Sequence, residues 1–204
     1  MLSDDLIVLD FETTGLSPES GDRITEVAAI RIRKDRIVDQ FESLVNCGCR
    51  LNSFIIRLTG ITQQMVDTAP PPSKVVRELV HFLGGDSVIA HNATFDERFF
   101  RSECAHAQVQ ASAEPFICSM LMARRVFPQL SSYRLAEVAG SLGLSHVGRA
   151  HRAAADARLT ADLLLKMTGV MRTRSAQLRI DSSLLRRFVQ MPASSAMSSL
   201  VQVA

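Results

Sequence analysis

Asp10 and Glu12 stand two residues apart at the end of the apolar run Leu6–Leu9, inside the stretch "LIVLDFETTGL". Residues two apart on a strand point to the same face. Their Cα atoms are then about 7 Å apart by the strand rise, so two like charges repel unless a cation or a shared proton relieves them. Thr13, Thr14 and Gly15 follow at once. A glycine permits a tight turn and close approach to a ligand, and threonines offer hydroxyls and amides to a phosphate. A third acid, Asp96, lies in "IAHNATFDERFF", in the first turn of a predicted helix, where a carboxylate also suits the helix dipole. Asn92 there reads equally as a helix cap and Phe95 as core. The third segment, "HRAAADARLT", carries His151 and Asp156, five residues apart. On one continuous helix they would point about 140° apart, so a shared site requires His151 to precede the helix.

The elements that must position these residues follow from periodicity and breakers. "DLIVLDFE", "ITEVAAIRIRK" and "IVDQFESLVN" predict three strands in an antiparallel meander, with Asp35–Arg36 as the second turn. After Pro70–Pro72, Ser73 predicts the N-cap of a helix through "KVVRELVHFLGG". "SVIAHN" reads as a short buried strand, "ATFDERFFRSECAHA" as a helix, and "EPFICSM" as a strand running into the helix "LMARRVF". "SSYRLAEVAGSLGL" and "HRAAADARLTADLLLKMTG" predict two more helices, the latter ending at Gly169. Strands first and then alternation imply an α/β fold with a mixed central sheet. Beyond Gly169, "RTRSAQLRIDSSLLRRFVQ" predicts one amphipathic helix, with Leu178, Leu185 and Phe188 on a face. "MPASSAMSSLVQVA" predicts a frayed end.

The chain has 204 residues, 47% apolar and 22% charged, ordinary values for a soluble globular protein. It contains no apolar run long enough to cross a bilayer and opens on acids rather than a basic leader. The expected compartment is the cytoplasm, with no membrane partner. Cys47, Cys49, Cys104 and Cys118 fit no metal-binding spacing and read as reduced thiols. The net charge is +2, but residues 145–204 hold nine Lys and Arg against three Asp and Glu. A basic C-terminal third suits a polyanion.

Taken in order, "DFETTGL", "HNATFD" and "HRAAAD" resemble the three exonuclease motifs of the DEDDh (DnaQ-like) family. That group includes the proofreading epsilon subunit of bacterial DNA polymerase III, ribonuclease T and oligoribonuclease. The likeness runs from about Leu6 to Thr168 and takes in "LTGITQQMVDTAPP". It implies a ribonuclease H-like fold, a five-stranded mixed sheet flanked by helices, with the site at the end of the first strand. It further implies that Asp10, Glu12 and Asp156 hold two Mg²⁺ or Mn²⁺ ions, that Asp96 is the fourth carboxylate, and that His151 is the general base. Oxygen ligands suit those hard cations rather than zinc. Thr13 and Leu16 match positions that touch the terminal nucleotide, and Asn92 and Phe95 match substrate-positioning residues.

The implied activity is hydrolysis of phosphodiester bonds from the 3′ end of single-stranded DNA, releasing nucleoside 5′-monophosphates, in proofreading or repair. An RNA-trimming enzyme and a non-catalytic accessory subunit are the alternatives. Residues 1–169 form the expected exonuclease domain. Residues 170–204 form a basic tail, read as a docking segment for a DNA polymerase subunit, as a helix folding back on the domain, or as a disordered end. Homodimerisation stays open.

Overall fold

The apolar run that begins the chain becomes the middle strand of a five-stranded sheet. The computed structural model describes residues 1–111, 114–145, 148–175 and 177–201. Strands β1 (Leu6–Thr13), β2 (Ile24–Arg33) and β3 (Arg36–Leu44) form the expected antiparallel meander. Lys34 and Asp35 both have positive φ, +49° and +62°, the backbone a two-residue hairpin turn requires to match the strand twist. β4 (Ser87–Ala90) and β5 (Ile117–Cys118) add parallel to β1, giving the order β3-β2-β1-β4-β5.

Side chains alternate along β1 and so divide the core in two. Leu6 and Val8 face one layer, built with α5 (Ser119–Val126), α7 (Ala153–Arg172) and α8 (Ser182–Gln190). Ile7, Leu9 and Phe11 face the other, built with α3 (Pro72–Leu83) and α4 (Ala93–His106). The same period puts Asp10 and Glu12 on the α7 side. Ala153, Ala157 and Ala161 are buried along α7, which lies across β1 and β2; side chains this small let a helix approach a sheet closely. Helices α1 (Ser53–Thr59), α2 (Gln63–Asp67) and α6 (Leu135–Ser141) lie in the connections.

Three expectations need correction. Helix α3 starts at Pro72 rather than after a Ser73 cap, because proline at the first helical position gives up only an N–H that would be orphaned there. Helix α7 continues through Gly169 to Arg172. A helical glycine costs about 1 kcal/mol relative to alanine, and burial of Met167, Thr168 and Met171 around it outweighs that. The helix in the tail begins only at Ser182, where the Asp181 carboxylate caps the Leu184 N–H at 2.8 Å.

The tail is built into the domain. Leu184, Leu185, Phe188 and Val189 are buried in the α5–α7 layer. Ile180 bridges to Leu2, and the Asp4 carboxylate accepts from the Ser182 N–H and hydroxyl. The segment expected to fray carries a short helix, α9 (Ala196–Ser199), and Leu200 is fully buried. Position 176 and positions 202–204 lie outside the described residues. No described helix is long and apolar enough to cross a membrane, and the four cysteines are free thiols.

Because the Phe188 ring is wholly enclosed, Phe188→Ala should lower unfolding stability by about 3–5 kcal/mol, read from chemical denaturation. A loss below about 1 kcal/mol would show that α8 does not pack as described.

Candidate active site

The site exists because β1 outruns β4. Pairing of β1 with β4 stops at Val8–Ile89, whereas pairing with β2 continues to Thr13. A buried backbone N–H needs a partner, and beyond β4 the Phe11 N–H finds the Asp96 carboxylate, at 3.2 Å. Asp96 is 3% exposed, in the first turn of α4, directly after β4. Asn92 makes the junction with left-handed φ, +68°, at the N-cap position, and its side chain makes no capping bond. Phe11 lies between Asp10 and Glu12, so this bond seats the third carboxylate beside the first two.

The fourth arrives from α7. His151 has φ +58° and precedes the helix, which starts at Ala153, as a shared site requires. Its N–H donates to Asp156 Oδ2 at 3.0 Å, folding the "HRAAAD" segment back on itself. The result is a cluster in which ligand atoms of Glu12, His151 and Asp156 all lie within 4.8 Å of one another. A cleft of about 560 Å³ opens beside it, with Asp10, Asn92, His151 and Asp156 on its lining and His91, Tyr133, Arg134 and Leu135 among its other residues. His91 is a strut in that wall. Its Nε2 bonds the Tyr133 carbonyl at 2.8 Å and its Nδ1 the Ser119 hydroxyl at 2.9 Å. A carbonyl only accepts, so Nε2 carries the proton and Nδ1 accepts from Ser119; burial also pushes the ring's pKa down, against the pull of the Tyr133 carbonyl.

Electrostatics make the cluster costly in the absence of a cation. Burial, and then the charges of Asp96, Asp156, Glu12 and Glu26, push Asp10 well above the usual carboxylate range. Burial, followed by Asp156, Glu26 and Asp96, raises Glu12 to about 8, with Arg152 pulling the other way. Burial raises Asp96 to about 8 against the bond from the Phe11 N–H. Groups in this state favour either protons or a divalent cation. The four carboxylates, gathered at the end of β1 with the His151 imidazole beside them, fit a hard cation.

The remaining predicted residues divide. Leu16 is 80% exposed, an apolar side chain standing free at the end of the turn. Thr13 is buried, and its hydroxyl donates to the Gly15 carbonyl at 2.6 Å, so it shapes the turn. Asp22 holds the same turn, accepting from the Thr14 hydroxyl and the Ser17 N–H. A Cβ on Gly15 would lie 2.4 Å from the Asp22 carboxylate, which is why glycine stands there. The Phe95 ring packs against Phe99, centroids 5.0 Å apart, outside the lining of the cleft.

Glu26 and its partner Arg152 were not singled out in the sequence. Glu26 on β2 faces Glu12 across the strand pair and is 6% exposed. It accepts from Arg152 Nε and Nη2 and from the Ala153 N–H at 2.9 Å. The signal was present: an acid in the middle of the apolar strand "ITEVAAI" needs a partner to be buried there.

Comparison with known proteins places these features in context. The exonuclease family model matches residues 7–164. The chain is 35% identical over 166 residues to the 3′-5′ exonuclease DinG of Bacillus subtilis (strain 168), covering 81% of this chain and 18% of that protein. It is 36% identical over 167 residues to a DNA polymerase III PolC-type of Oceanobacillus iheyensis, covering 82% of this chain and 12% of that one. The chain thus spans less than a fifth of the length of these relatives. The nuclease domain of 3′hExo, a DEDDh family member solved bound to rAMP, superposes with a TM-score of 0.73 at 24% identity, over 83% of this chain and 94% of that one; this likeness is one of fold.

The raised carboxylates predict an unusual pH dependence of stability. Glu12 and Asp96 titrate near 8 in the folded protein, against about 4 in an unfolded chain. Across that window the native state holds protons that the unfolded chain has released, so stability falls as pH rises. In EDTA, the melting temperature should drop from pH 6 to pH 8.5, and Glu12→Gln should flatten the drop. Equal wild-type melting temperatures at the two pH values would contradict the electrostatics described.

Proposed function

This chain belongs to the exonuclease family, in the DEDDh group that its motifs resemble, and from that premise we propose that it is a 3′→5′ exonuclease dependent on divalent cations. Its substrate on this reading is the 3′ end of single-stranded DNA, from which it releases nucleoside 5′-monophosphates. One observation carries the proposal: ligand atoms of Glu12, His151 and Asp156 converge within 4.8 Å beside a cleft lined by Asp10, His151 and Asp156, with burial raising Glu12 and Asp96 to about 8.

Asp10, Glu12 and Asp156, with Asp96 behind them, are the residues that would hold two Mg²⁺ or Mn²⁺ ions. When bound, such ions offset the carboxylate charge and polarise the phosphodiester and the attacking water. His151 is exposed at the cleft, where an imidazole nitrogen can take the proton from that water. The water oxygen attacks phosphorus as the bond to the 3′ oxygen of the upstream nucleotide breaks, that oxygen leaving as a 3′ hydroxyl with a proton from solvent, so no enzyme nucleophile is needed. Leu16, free at the end of the turn, offers an apolar surface to the terminal base. Asn92 lines the cleft and would orient the sugar-phosphate beside Asp10. Thr13 and Phe95 support these positions from the turn and from the core.

Similarity to a PolC-type polymerase supports DNA as the polymer and a setting in replication or repair. The apolar side of α8 is spent on its own domain. A contact between the segment 170–204 and a polymerase subunit would therefore use the outer face, where Arg174, Arg179 and Arg187 are exposed.

The test is a time course on 5′-labelled single-stranded DNA and RNA of matched sequence. With Mg²⁺ or Mn²⁺ the DNA should shorten from its 3′ end in a ladder that EDTA abolishes. Asp10→Ala should remove activity, and His151→Ala should lower the rate by about 10²–10⁴-fold. Faster loss of the RNA would move the assignment to an RNA-trimming enzyme, and no cleavage by folded protein would overturn it in favour of an accessory subunit.

A further inference from the structure

The segment that carries His151 and Asp156 is held at both ends, by groups remote in sequence and outside the carboxylate set. On one side, the Glu26 carboxylate takes Arg152 Nε at 3.0 Å, Arg152 Nη2, and the Ala153 N–H at 2.9 Å. The last of these is the first N–H of α7, one of those a helix leaves without an internal partner. Glu26 therefore caps α7 from the neighbouring sheet, where Arg152, the N-cap residue itself, makes no side-chain cap bond. On the other side, Arg149 Nη2 donates to the Arg57 carbonyl at 2.9 Å, and its guanidinium lies against Gly60, where a Cβ would fall 2.2 Å from Nη1. Between the two ties His151 adopts left-handed φ, a conformation that costs energy for a non-glycine residue and persists only where the surroundings fix it.

We propose that Glu26, with Arg152 as its counter-charge, is the positioning residue of the His151 segment: it fixes where α7 begins, and so where His151 and Asp156 stand relative to Glu12. The inference rests on the nuclease reading above and adds a residue to it. Glu26 faces Glu12 directly across β1 and β2, so one strand pair carries both an acid of the site and the anchor of the segment that completes it. Arg152 is what makes a fifth carboxylate tolerable there. Its bidentate pairing neutralises Glu26, and its charge also eases Glu12. Such planar, two-pronged pairing is a property of arginine that lysine lacks. Glu26 touches no reacting atom on this account; it acts through the segment it holds.

The experiment compares Glu26→Ala, Glu26→Gln and Arg152→Lys with the wild type in two ways. The first is steady-state hydrolysis of a single-stranded oligonucleotide with Mn²⁺. The second is amide hydrogen exchange across residues 148–156, measured without nucleic acid. Misplacing a catalytic group by about 1 Å can cost 10²-fold in rate, so Glu26→Ala should lower kcat by on the order of 100-fold with KM little changed. It should also speed exchange at His151 and Ala153. Glu26→Gln keeps an oxygen for the Ala153 N–H and should recover a large part of both effects. Arg152→Lys should fall between. Should Glu26→Ala prove too unstable to assay, Arg152→Lys carries the comparison, with a lower kcat and faster exchange at His151 and Ala153 expected. Wild-type kcat and unchanged exchange in the folded variants would overturn the proposal, as would a uniform rise in exchange over the whole chain, which marks global destabilisation. If the wild type itself fails to cut, the nuclease reading falls, and exchange at His151 and Ala153 alone decides whether Glu26 holds the segment.

Discussion

The Phe11 N–H points to where a longer β4 would have supplied a carbonyl, and the Asp96 carboxylate stands there instead. Most of the site can be traced to that substitution. A sheet whose strands ended together would have paired the edge of β1 with backbone and left no opening at its end. Because β1 projects, its alternation delivers Asp10 and Glu12 into a space bounded by α7 on one side and the start of α4 on the other. The helix that follows β4 then contributes the third acid through a bond that the backbone already requires. Structure and chemistry share one contact: the group that satisfies the strand edge also raises the negative charge of the cluster.

That arrangement places repulsion where the fold must bear it. Asp10, Glu12 and Asp96 are all shifted upward, chiefly by burial, and Arg152 is the cation that the described structure sets beside Glu12 and Glu26. Apolar layers on both faces of the sheet compensate. One includes α7 with its buried alanines and α8 from the tail; the other includes α3 and α4 with Phe99 and Phe100. A site held against its own charge is under strain of the kind found at functional positions, and the left-handed backbone at Asn92 and at His151 belongs to the same pattern. Both residues line the cleft.

How much of this the sequence disclosed depended on the distance over which each residue finds its partners. Asp10 and Glu12 could be placed on one face because a strand's period is local. The meander and the sheet followed from patterns of similar reach. His151 and Asp156 could be joined only on the condition that the helix began between them, and the structure meets it with a helix starting at Ala153. Glu26 showed in the sequence only as an acid in want of a partner, and that partner, Arg152, lies 126 positions away. The choice among readings of the tail stayed open for a related reason. Its apolar stripe is real, but nothing near it in sequence indicates that the stripe is used up on Met167, Met171 and the α5 layer; the helix start, by contrast, was marked locally by Asp181, an acid placed to cap it. Gly169 was weighed by its own propensity, which burial on either side overrides.

The central claim is that the acids at the end of β1 form a seat for divalent cations, and the most direct measurement is crystallographic. Crystals grown with Mn²⁺ and a nucleoside 5′-monophosphate would be measured at the manganese absorption edge. The account predicts anomalous peaks among the carboxylates of Asp10, Glu12 and Asp156, with His151 at the rim of the same cleft. Density for the nucleotide together with no manganese among those side chains, or manganese bound elsewhere on the chain, would contradict it.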